Sequence, residues 1–420
     1  MSVKMTYDLC VIGAGWAGFN AALAAAKRGK SVCLVEEREV GGTCLNRGCI
    51  PAKVFVAESK KGVALPDIQK RKKEVISRLS QGLLFLLKNH KIDLVAAHAV
   101  LLGPGKVLAE GRGEISSRYV LLATGSSPKD LPQFPFDRKK FVSSDDVLEW
   151  DVLPQTLAIV GGGFIGCEFA SIFRRLGADV TIIELQDRLL PTMDPELGKK
   201  LLPAFQKQGI KVLLKTSLDQ LPVDNFEKVL IAIGRGCRFE DSRGPSCLIK
   251  MEKKSVWADL RLATGTKNVY AAGDILGGYM LAHVAAYEGE LAVRNMFGRP
   301  ENRDYRAIPS SAFTVPEAAS VGLSEEEARA FGTDYQAKTI HYLSVGMAHV
   351  LGDTQGFVKV VVDKKKNIIL GATIVGLEAS ELVNLFSVII RNKIRISELQ
   401  KTIFAHPSLS EIVGEIARVF

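Results

Sequence analysis

Two cysteines four residues apart in intervening sequence, Cys44 and Cys49, stand in the run Gly41-Gly42-Thr43-Cys44-Leu45-Asn46-Arg47-Gly48-Cys49-Ile50-Pro51-Ala52-Lys53, a glycine-rich turn leading into a predicted helix. A helix N-terminus stabilises a thiolate, and the thiolate is the form that attacks a disulfide or gives up electrons. Two buried structural cysteines would share this pattern, and a metal site would need more ligands than are present, since neither a second cysteine pair nor a histidine cluster follows. Seven cysteines in 420 residues are few and odd in number. They argue against a secreted disulfide framework and for a reducing compartment, where a close pair means redox or metal chemistry.

Near the other end, His406-Pro407-Ser408-Leu409-Ser410-Glu411 offers an imidazole and a carboxylate. A neutral imidazole takes a proton from an incoming thiol, and a carboxylate orients it and stabilises the imidazolium. Ser408-x-x-Glu411 also reads as a capping box opening the last helix, so Glu411 has two roles that can coexist.

The elements that must position these groups announce themselves as a near-repeat: Tyr7 to Glu36 and Thr156 to Glu184 both read as strand, glycine-rich turn, helix, and strand ending in Glu. The turns are Gly13-Ala14-Gly15-Trp16-Ala17-Gly18 and Gly161-Gly162-Gly163-Phe164-Ile165-Gly166. In each, the first glycine permits the bend, the second admits a pyrophosphate to the backbone, and the third lets helix pack on strand. The phosphates sit at the positive end of the helix. Glu36 and Glu184 each follow the first glycine of their turn by 23 residues, where a carboxylate accepts hydrogen bonds from ribose hydroxyls and repels a 2′-phosphate. The second unit thus favours NAD over NADP, with Arg188 as the one nearby cation.

Residues 52 to about 90 read as helical, 92–125 as short strands, and Pro128, Pro132 and Pro135 as a linker. From about Tyr305 the pattern changes to strand-like 336–342, 357–362 and 368–374 and amphipathic helices 378–392 and 408–419, a separate α+β domain. The net charge of +9 is spread along the chain, and the densest run, Lys70 to Lys73, reads as a solvated helix face rather than a nucleic-acid site. No window reaches the roughly 18 to 20 apolar residues of a membrane span. Residues Met1 to Asp8 show no apolar leader, and Val3 onward reads as the first strand, so a cytoplasmic protein is expected.

The thirteen residues from Gly41 to Lys53 match the pattern G-G-T-C-x-N-x-G-C-x-P-x-K, and by it the chain resembles the pyridine nucleotide-disulfide oxidoreductase family over nearly its whole length. Within that family it is most similar to members that oxidise dihydrolipoamide. Ala123-Thr124-Gly125-Ser126, Ala232-Ile233-Gly234-Arg235 and Ala271-Ala272-Gly273-Asp274 resemble further nucleotide-contacting segments, in the expected order.

The resemblance implies an α/β fold with two Rossmann-like dinucleotide-binding domains, for FAD and NAD, and a C-terminal α+β dimerisation domain. The corresponding segments are 1–142 for FAD and the redox disulfide, 143–264 for NAD, 265–304 returning to the FAD domain, and 305–420 for the interface. It further implies that Cys49 faces the flavin, that Cys44 exchanges with substrate, and that Lys53 and Glu168 pair beside the flavin. Gly13, Gly15, Gly18, Glu36, Gly42, Thr43, Lys53, Thr124, Gly125, Ser126, Gly273 and Asp274 would hold FAD, Asp274 on its ribityl chain, with Met280, Leu281, Ala282 and His283 along the flavin. Gly161, Gly163, Gly166, Glu184, Gly234 and Arg235 would serve the second nucleotide. For Lys53 a solvent-facing lysine, and for Glu168 an exposed polar residue, are the plain alternatives.

The family likeness also implies a homodimer in which the partner supplies His406 and Glu411, a dihydrolipoamide or lipoyl-domain substrate from a 2-oxo acid dehydrogenase complex, and no metal. A reductase of another disulfide or of a metal ion would use the same core, and a non-catalytic flavoprotein would have no need of Cys44, Cys49, His406 and Glu411 together. Three departures from the family pattern stand out: a short link between Lys215 and Val229, Gly236-Cys237-Arg238 in place of the usual x-Pro-Asn, and an early stop at Phe420.

Overall fold

The apolar run Leu9-Cys10-Val11-Ile12 is buried on both faces, and period-two alternation divides it between two cores. Leu9 and Val11, with Val32 and Leu34 of the next strand, pack under helices; Cys10 and Ile12, with Cys33 and Val35, face the opposite layer. These strands, β1 (Thr6–Ile12) and β2 (Val32–Glu36), pair in parallel around helix α1 (Trp16–Ala26). The computed structural model describes residues 6–239 and 249–420. The expected strand beginning at Val3 therefore lies partly outside the described residues.

Two compact units result, one of residues 1–54, 66–129 and 234–303, the other of residues 55–65, 130–233 and 304–420. In the first, α2 (Gly42–Arg47), α3 (Cys49–Lys60) and α4 (Leu65–Asn89) follow β2, α3 passing on into the second unit. Strands β3 (Asp93–Ala96), β4 (Ala99–Gly103), β5 (Lys106–Ala109) and β6 (Gly113–Leu122) complete a sheet of order β3-β2-β1-β6-β5-β4. Its β1, β2, β3 and β6 neighbours are parallel, whereas β4, β5 and β6 form an antiparallel meander. The short β7 (Ser126–Pro128) follows β6. Of the run Lys70 to Lys73, three residues are exposed on α4 as expected, but Lys72 is buried, so that face is not wholly solvated.

In the second unit, β8 (Phe141–Val142), α5 (Ser144–Val147), β9 (Thr156–Val160), α6 (Phe164–Leu176), β10 (Asp179–Ile183), α7 (Pro195–Lys207), β11 (Lys211–Leu213) and β12 (Lys228–Ile231) form an all-parallel sheet of order β11-β10-β9-β12-β8. Gly177 ends α6 in the left-handed conformation at φ 109°, which glycine adopts without a Cβ clash. The short link after Lys215 is two 3₁₀ turns, Leu218–Gln220 and Val223–Asn225, and Leu218 is buried in the core under β9 and β12.

The chain then returns to the first unit through β13 (Arg235–Cys237), which pairs antiparallel with β7, the hairpin β14 (Met251–Glu252) and β15 (Ser255–Val256), and β16 (Val269–Ala271), which pairs in parallel with β6. Helix α8 (Ala282–Phe297) lies directly on α1: a Cβ at Gly289 would stand 2.2 Å from the Ala17 carbonyl oxygen.

The C-terminal part belongs to the second unit and is an antiparallel sheet of order β17-β18-β21-β20-β19, from Pro309–Ala312, Ala318–Gly322, Ile368–Val375, Phe357–Asp363 and Tyr335–His341 respectively. The last three were legible in the sequence; β17 and β18, with α9 (Glu325–Ala330) and α10 (Gly346–Val350), were not, because short segments give little periodicity. Helices α11 (Ala379–Arg391) and α13 (Glu411–Arg418), with α12 (Ile396–Leu399) between them, place Leu382, Phe386, Ile389, Ile412 and Ile416 against the sheet. No helix among the described residues is long and apolar enough to cross a membrane.

Within this unit the buried ammonium of Lys359, on β20, lies 3.0 Å from Asp194 and 2.6 Å from Glu196. Asp194 caps α7 and also accepts a hydrogen bond from Thr373 at 2.8 Å. Burial alone would lower the Lys359 pKa, but its hydrogen bonds to Glu196 and Asp194 hold it above the ordinary value. Replacing one partner of such a buried pair leaves the other uncompensated. Lys359→Met should therefore lower unfolding free energy by about 3 kcal/mol in urea denaturation. An unshifted midpoint would show that the ion cluster does not hold α7 to the sheet.

Candidate active site

At the first turn, Gly13 N–H donates to Val35 O at 2.8 Å, and α1 begins at Trp16 with Gly15 as its N-cap and no side-chain cap. A Cβ at Gly18 would lie 1.9 Å from the Gly13 carbonyl oxygen, so only glycine lets α1 rest on the turn. At Gly15 a Cβ would meet no atom within 4 Å. Uncapped helix amides facing open space form a cradle for an anion. Glu36 closes the turn, its Oε2 accepting Ala14 N–H at 2.6 Å and its Oε1 accepting Arg38 N–H at 2.9 Å.

The second turn repeats this construction. Gly163 is open and uncapped, Gly166 approaches Gly161 O as Gly18 approaches Gly13 O, and Glu184 Oε2 accepts Gly162 N–H at 2.6 Å. Glu184 Oε1 accepts Gln186 N–H at 2.7 Å. Each carboxylate oxygen retains a lone pair for a ribose hydroxyl, so both sites fit a dinucleotide.

The dithiol is hung on the first turn. Gly41, at φ 93°, donates its N–H to Ala14 O at 2.8 Å, and Gly42 comes so near that a Cβ there would stand 2.7 Å from Gly15 Cα. Thr43 and Cys44 follow in α2, a short helix of its own, rather than at the start of a single helix as the sequence predicts. Gly48, at φ −145° and ψ −110°, breaks the helical path, and Cys49 opens α3 on a new axis with Lys53 one turn on. The two cysteines are in the thiol form, not joined as a disulfide, Cys44 half-buried and Cys49 exposed. A hydrogen bond to Cys49, and then burial, push the Cys44 thiol well above its ordinary pKa, while Trp16 and Lys53 act in the opposite direction.

A second polar group forms where β7 and β13 begin and just beyond the end of β16. Ser126 Oγ donates to Asp274, and Arg235 donates through Nε to Ser126 Oγ and through Nη2 to Ser126 O, both at 2.8 Å. Thr124 Oγ1 donates to Arg238 O, while Gly125 and Gly234 take positive φ at the bends. Gly273, at φ 83°, donates its N–H to the buried carboxylate of Glu288 at 2.7 Å, which fixes the turn bearing Asp274. Met280 and Leu281 lead into α8, Ala282 is its first residue, and His283 is exposed beside it.

In the second unit Glu168 is buried on α6 and accepts Phe313 N–H at 3.1 Å; it is not an exposed helix residue. Lys53 belongs to the first unit. His406 is exposed, with Nδ1 2.9 Å from Glu411 Oε1. Helix α13 begins at Glu411 rather than at 408, and only half of the expected capping box is present. Ser408 N–H donates to Glu411 Oε2 at 2.9 Å, but the Ser408 hydroxyl donates to Ala405 O. The Ser408 N–H first, and His406 second, hold the Glu411 carboxyl below the usual range. That stabilisation is present above the ordinary carboxylate pKa and is lost as pH falls through the lowered value.

Trp16, Glu288 and Arg238 were missed in the sequence. Trp16 carried a signal, an aromatic inside the glycine turn. Glu288 carried none, because its partner is a main-chain amide brought to it by the packing of α8 on α1.

Two glycine-turn nucleotide cradles, one bearing a dithiol on its own loop, define an enzyme that moves electrons between a nicotinamide nucleotide and a disulfide. The chain belongs to the pyridine nucleotide-disulphide oxidoreductase family, whose profile matches residues 7–289, with the family's dimerisation domain at residues 308–417. It is 35% identical to dihydrolipoyl dehydrogenase of Chlamydia muridarum over 98% of this chain and 96% of that one, and 35% identical to a dihydrolipoyl dehydrogenase of Bacillus subtilis over 98% and 97%. Among solved structures, the HOCl-induced flavoprotein disulfide reductase RclA from Escherichia coli matches with TM-score 0.89 and 28% identity, covering 98% of this chain and 100% of that one. The chain is a flavoprotein disulfide oxidoreductase, and FAD and a nicotinamide nucleotide are its cofactors.

Glu288→Ala should leave the Gly273 amide buried without its acceptor and lower stability by about 1–3 kcal/mol. Thermal melts of the apoprotein check this; an unchanged Tm would mean that the turn at Asp274 is held by other contacts.

Proposed function

We propose that the enzyme oxidises dihydrolipoamide and reduces NAD+, passing the electron pair through Cys44 and Cys49. The observation that carries this reading is the placement of the dithiol: it hangs directly on the first glycine turn through Gly41 and Gly42, with Cys44 half-buried in α2 and Cys49 exposed at the start of α3. The 35% identity to dihydrolipoyl dehydrogenases over nearly the full chain supports the substrate. A carboxylate at Glu184, already fixed by two amides, supports NAD over NADP by opposing a 2′-phosphate.

In this reading Gly13, Gly15, Gly18 and Glu36 hold the FAD pyrophosphate and ribose, joined by Gly42, Thr43, Lys53, Thr124, Gly125, Ser126, Gly273 and Asp274, with Met280 to His283 along the flavin. Gly161, Gly163, Gly166 and Glu184 serve NAD, while Gly234 and Arg235 belong to the first unit, where Arg235 is bonded to Ser126 beside Asp274. His406 of the partner subunit, oriented by the partner's Glu411, takes the proton from one substrate thiol. The resulting thiolate attacks Cys44 of the Cys44–Cys49 disulfide, forming a mixed disulfide and releasing Cys49 as thiolate. The second substrate thiol then displaces Cys44, closing the lipoamide disulfide and leaving two electrons on the cysteine pair. Lys53, one helical turn from Cys49, stabilises its negative charge. FAD held at the first glycine turn would supply the two-electron relay between Cys49 and NAD+. Glu168 is a positioning residue held by the Phe313 amide. A lipoyl domain of a 2-oxo acid dehydrogenase complex would present the substrate.

The purified protein should show a flavin spectrum and reduce NAD+ with dihydrolipoamide, far faster than it reduces NADP+. Cys49→Ser should retain flavin and lose dithiol turnover; normal turnover in that variant would exclude the disulfide route. His406→Gln should lower kcat by about 10²–10⁴. A preference for another disulfide with NADH as donor would reassign the enzyme to a reductase, the activity named for RclA.

A further inference from the structure

The substitution of Gly236-Cys237-Arg238 for the family's usual x-Pro-Asn has a structural outcome that the proposed function does not use. Arg238 is fixed by its backbone where β6 ends: its N–H donates to Gly125 O at 3.0 Å, and its carbonyl accepts from Thr124 Oγ1. Its side chain reaches Glu37, the residue after β2, donating through Nη2 to Glu37 Oε1 at 2.8 Å. The other oxygen, Glu37 Oε2, lies 2.9 Å from His98 Nδ1, in the connection between β3 and β4. Arg38 stands 3.7 Å from Glu37 Oε1 as the remaining charge in contact.

Strand order makes this arrangement directional. The sheet runs β3-β2-β1-β6, so a chain of contacts from the end of β6 to the end of β2 and on to β3 spans the carboxyl end of β1. Dinucleotides bind across the carboxyl ends of such strands, with pyrophosphate at the first turn and ribose at the strand-end glutamate, here Glu36. A base attached to a ribose held by Glu36 would lie farther outward from β1, on the side of Ala97 and His98. Ala97 N–H donates to Glu36 O at 3.0 Å, which brings the His98 connection against the ribose-binding residue.

We propose that Arg238, Glu37 and His98 form a strap across the adenosine end of the FAD site that slows release of the cofactor. The inference rests on the assignment of FAD to the first glycine turn. The three side chains are positioning residues, since they act by closing the site rather than by touching the reacting atoms. Arg238 and His98 hold the Glu37 carboxylate from opposite sides, and the pairing with His98, then burial opposing it, then Arg238 account for its carboxyl being held below the usual range. With Glu37 and Arg238 each about one-third exposed (32% and 38%), the pair is open enough for salt to weaken it.

The test uses the FAD-loaded protein and follows the rise of free-flavin fluorescence after dilution. Arg238→Ala and Glu37→Gln should each speed FAD release by about two- to fivefold, the scale of a partly exposed ion pair. Arg238→Lys should fall between them and the wild type. Added NaCl should speed release from the wild type and much less so from Arg238→Ala. The charge swap Glu37→Arg with Arg238→Glu should restore slow release that either change alone removes. Apoprotein Tm separates a strap from a mere structural tie, because a strap lowers the melting of the FAD-loaded form and leaves the apoprotein unchanged. Wild-type release rates in the Arg238 and Glu37 variants, or equal loss of Tm with and without FAD, would overturn the strap. A wild-type protein that binds no FAD would instead overturn the assignment of the first turn.

Discussion

A carboxylate at the end of a parallel strand gripping a main-chain amide of the neighbouring glycine turn is the interaction on which the rest of this protein depends. It occurs twice, Glu36 on Ala14 N–H and Glu184 on Gly162 N–H, both at 2.6 Å. In each case it holds the turn at the strand ends while the third glycine lets the helix rest on it. The helix amides are thereby left facing open space, and their partial positive charge is directed at a ligand rather than neutralised by a cap.

The cysteine pair is attached to the first of these turns and not to the second. Gly41 and Gly42 bring the loop after β2 onto Ala14 and Gly15, so the cysteines begin where the nucleotide cradle ends. The break at Gly48 then sets the two sulfurs on different helices, Cys44 within α2 and Cys49 at the start of α3. The hydrogen bond to Cys49, and then burial, hold the Cys44 thiol above its ordinary pKa.

Each unit has further contacts of its own. Glu288 fixes the turn carrying Asp274 from a helix whose close contact with α1 is possible because Gly289 has no side chain. Lys359 ties α7 to the C-terminal sheet through carboxylates that would be costly to leave buried alone. His406 stays exposed, held through one nitrogen by Glu411, with its other nitrogen pointing to solvent chemistry.

Both glycine turns, their closing glutamates, the cysteine pair and the His406–Glu411 pair were legible in the sequence, because each is a local pattern in which residue type and spacing carry the physics. The long helices and the parallel strands were legible for the same reason, their periodicity being strong over many residues. Tertiary structure alone decided what depends on approach between distant segments: that Glu168 is buried on the Phe313 amide, that Lys72 is inside, and that Arg238 meets Glu37 across 201 positions of sequence. Spacing along the chain sets which groups can share a turn or a helix face, whereas hydrogen bonds between strand ends are set by the order of strands in the sheet, and that order exists only once the chain has folded.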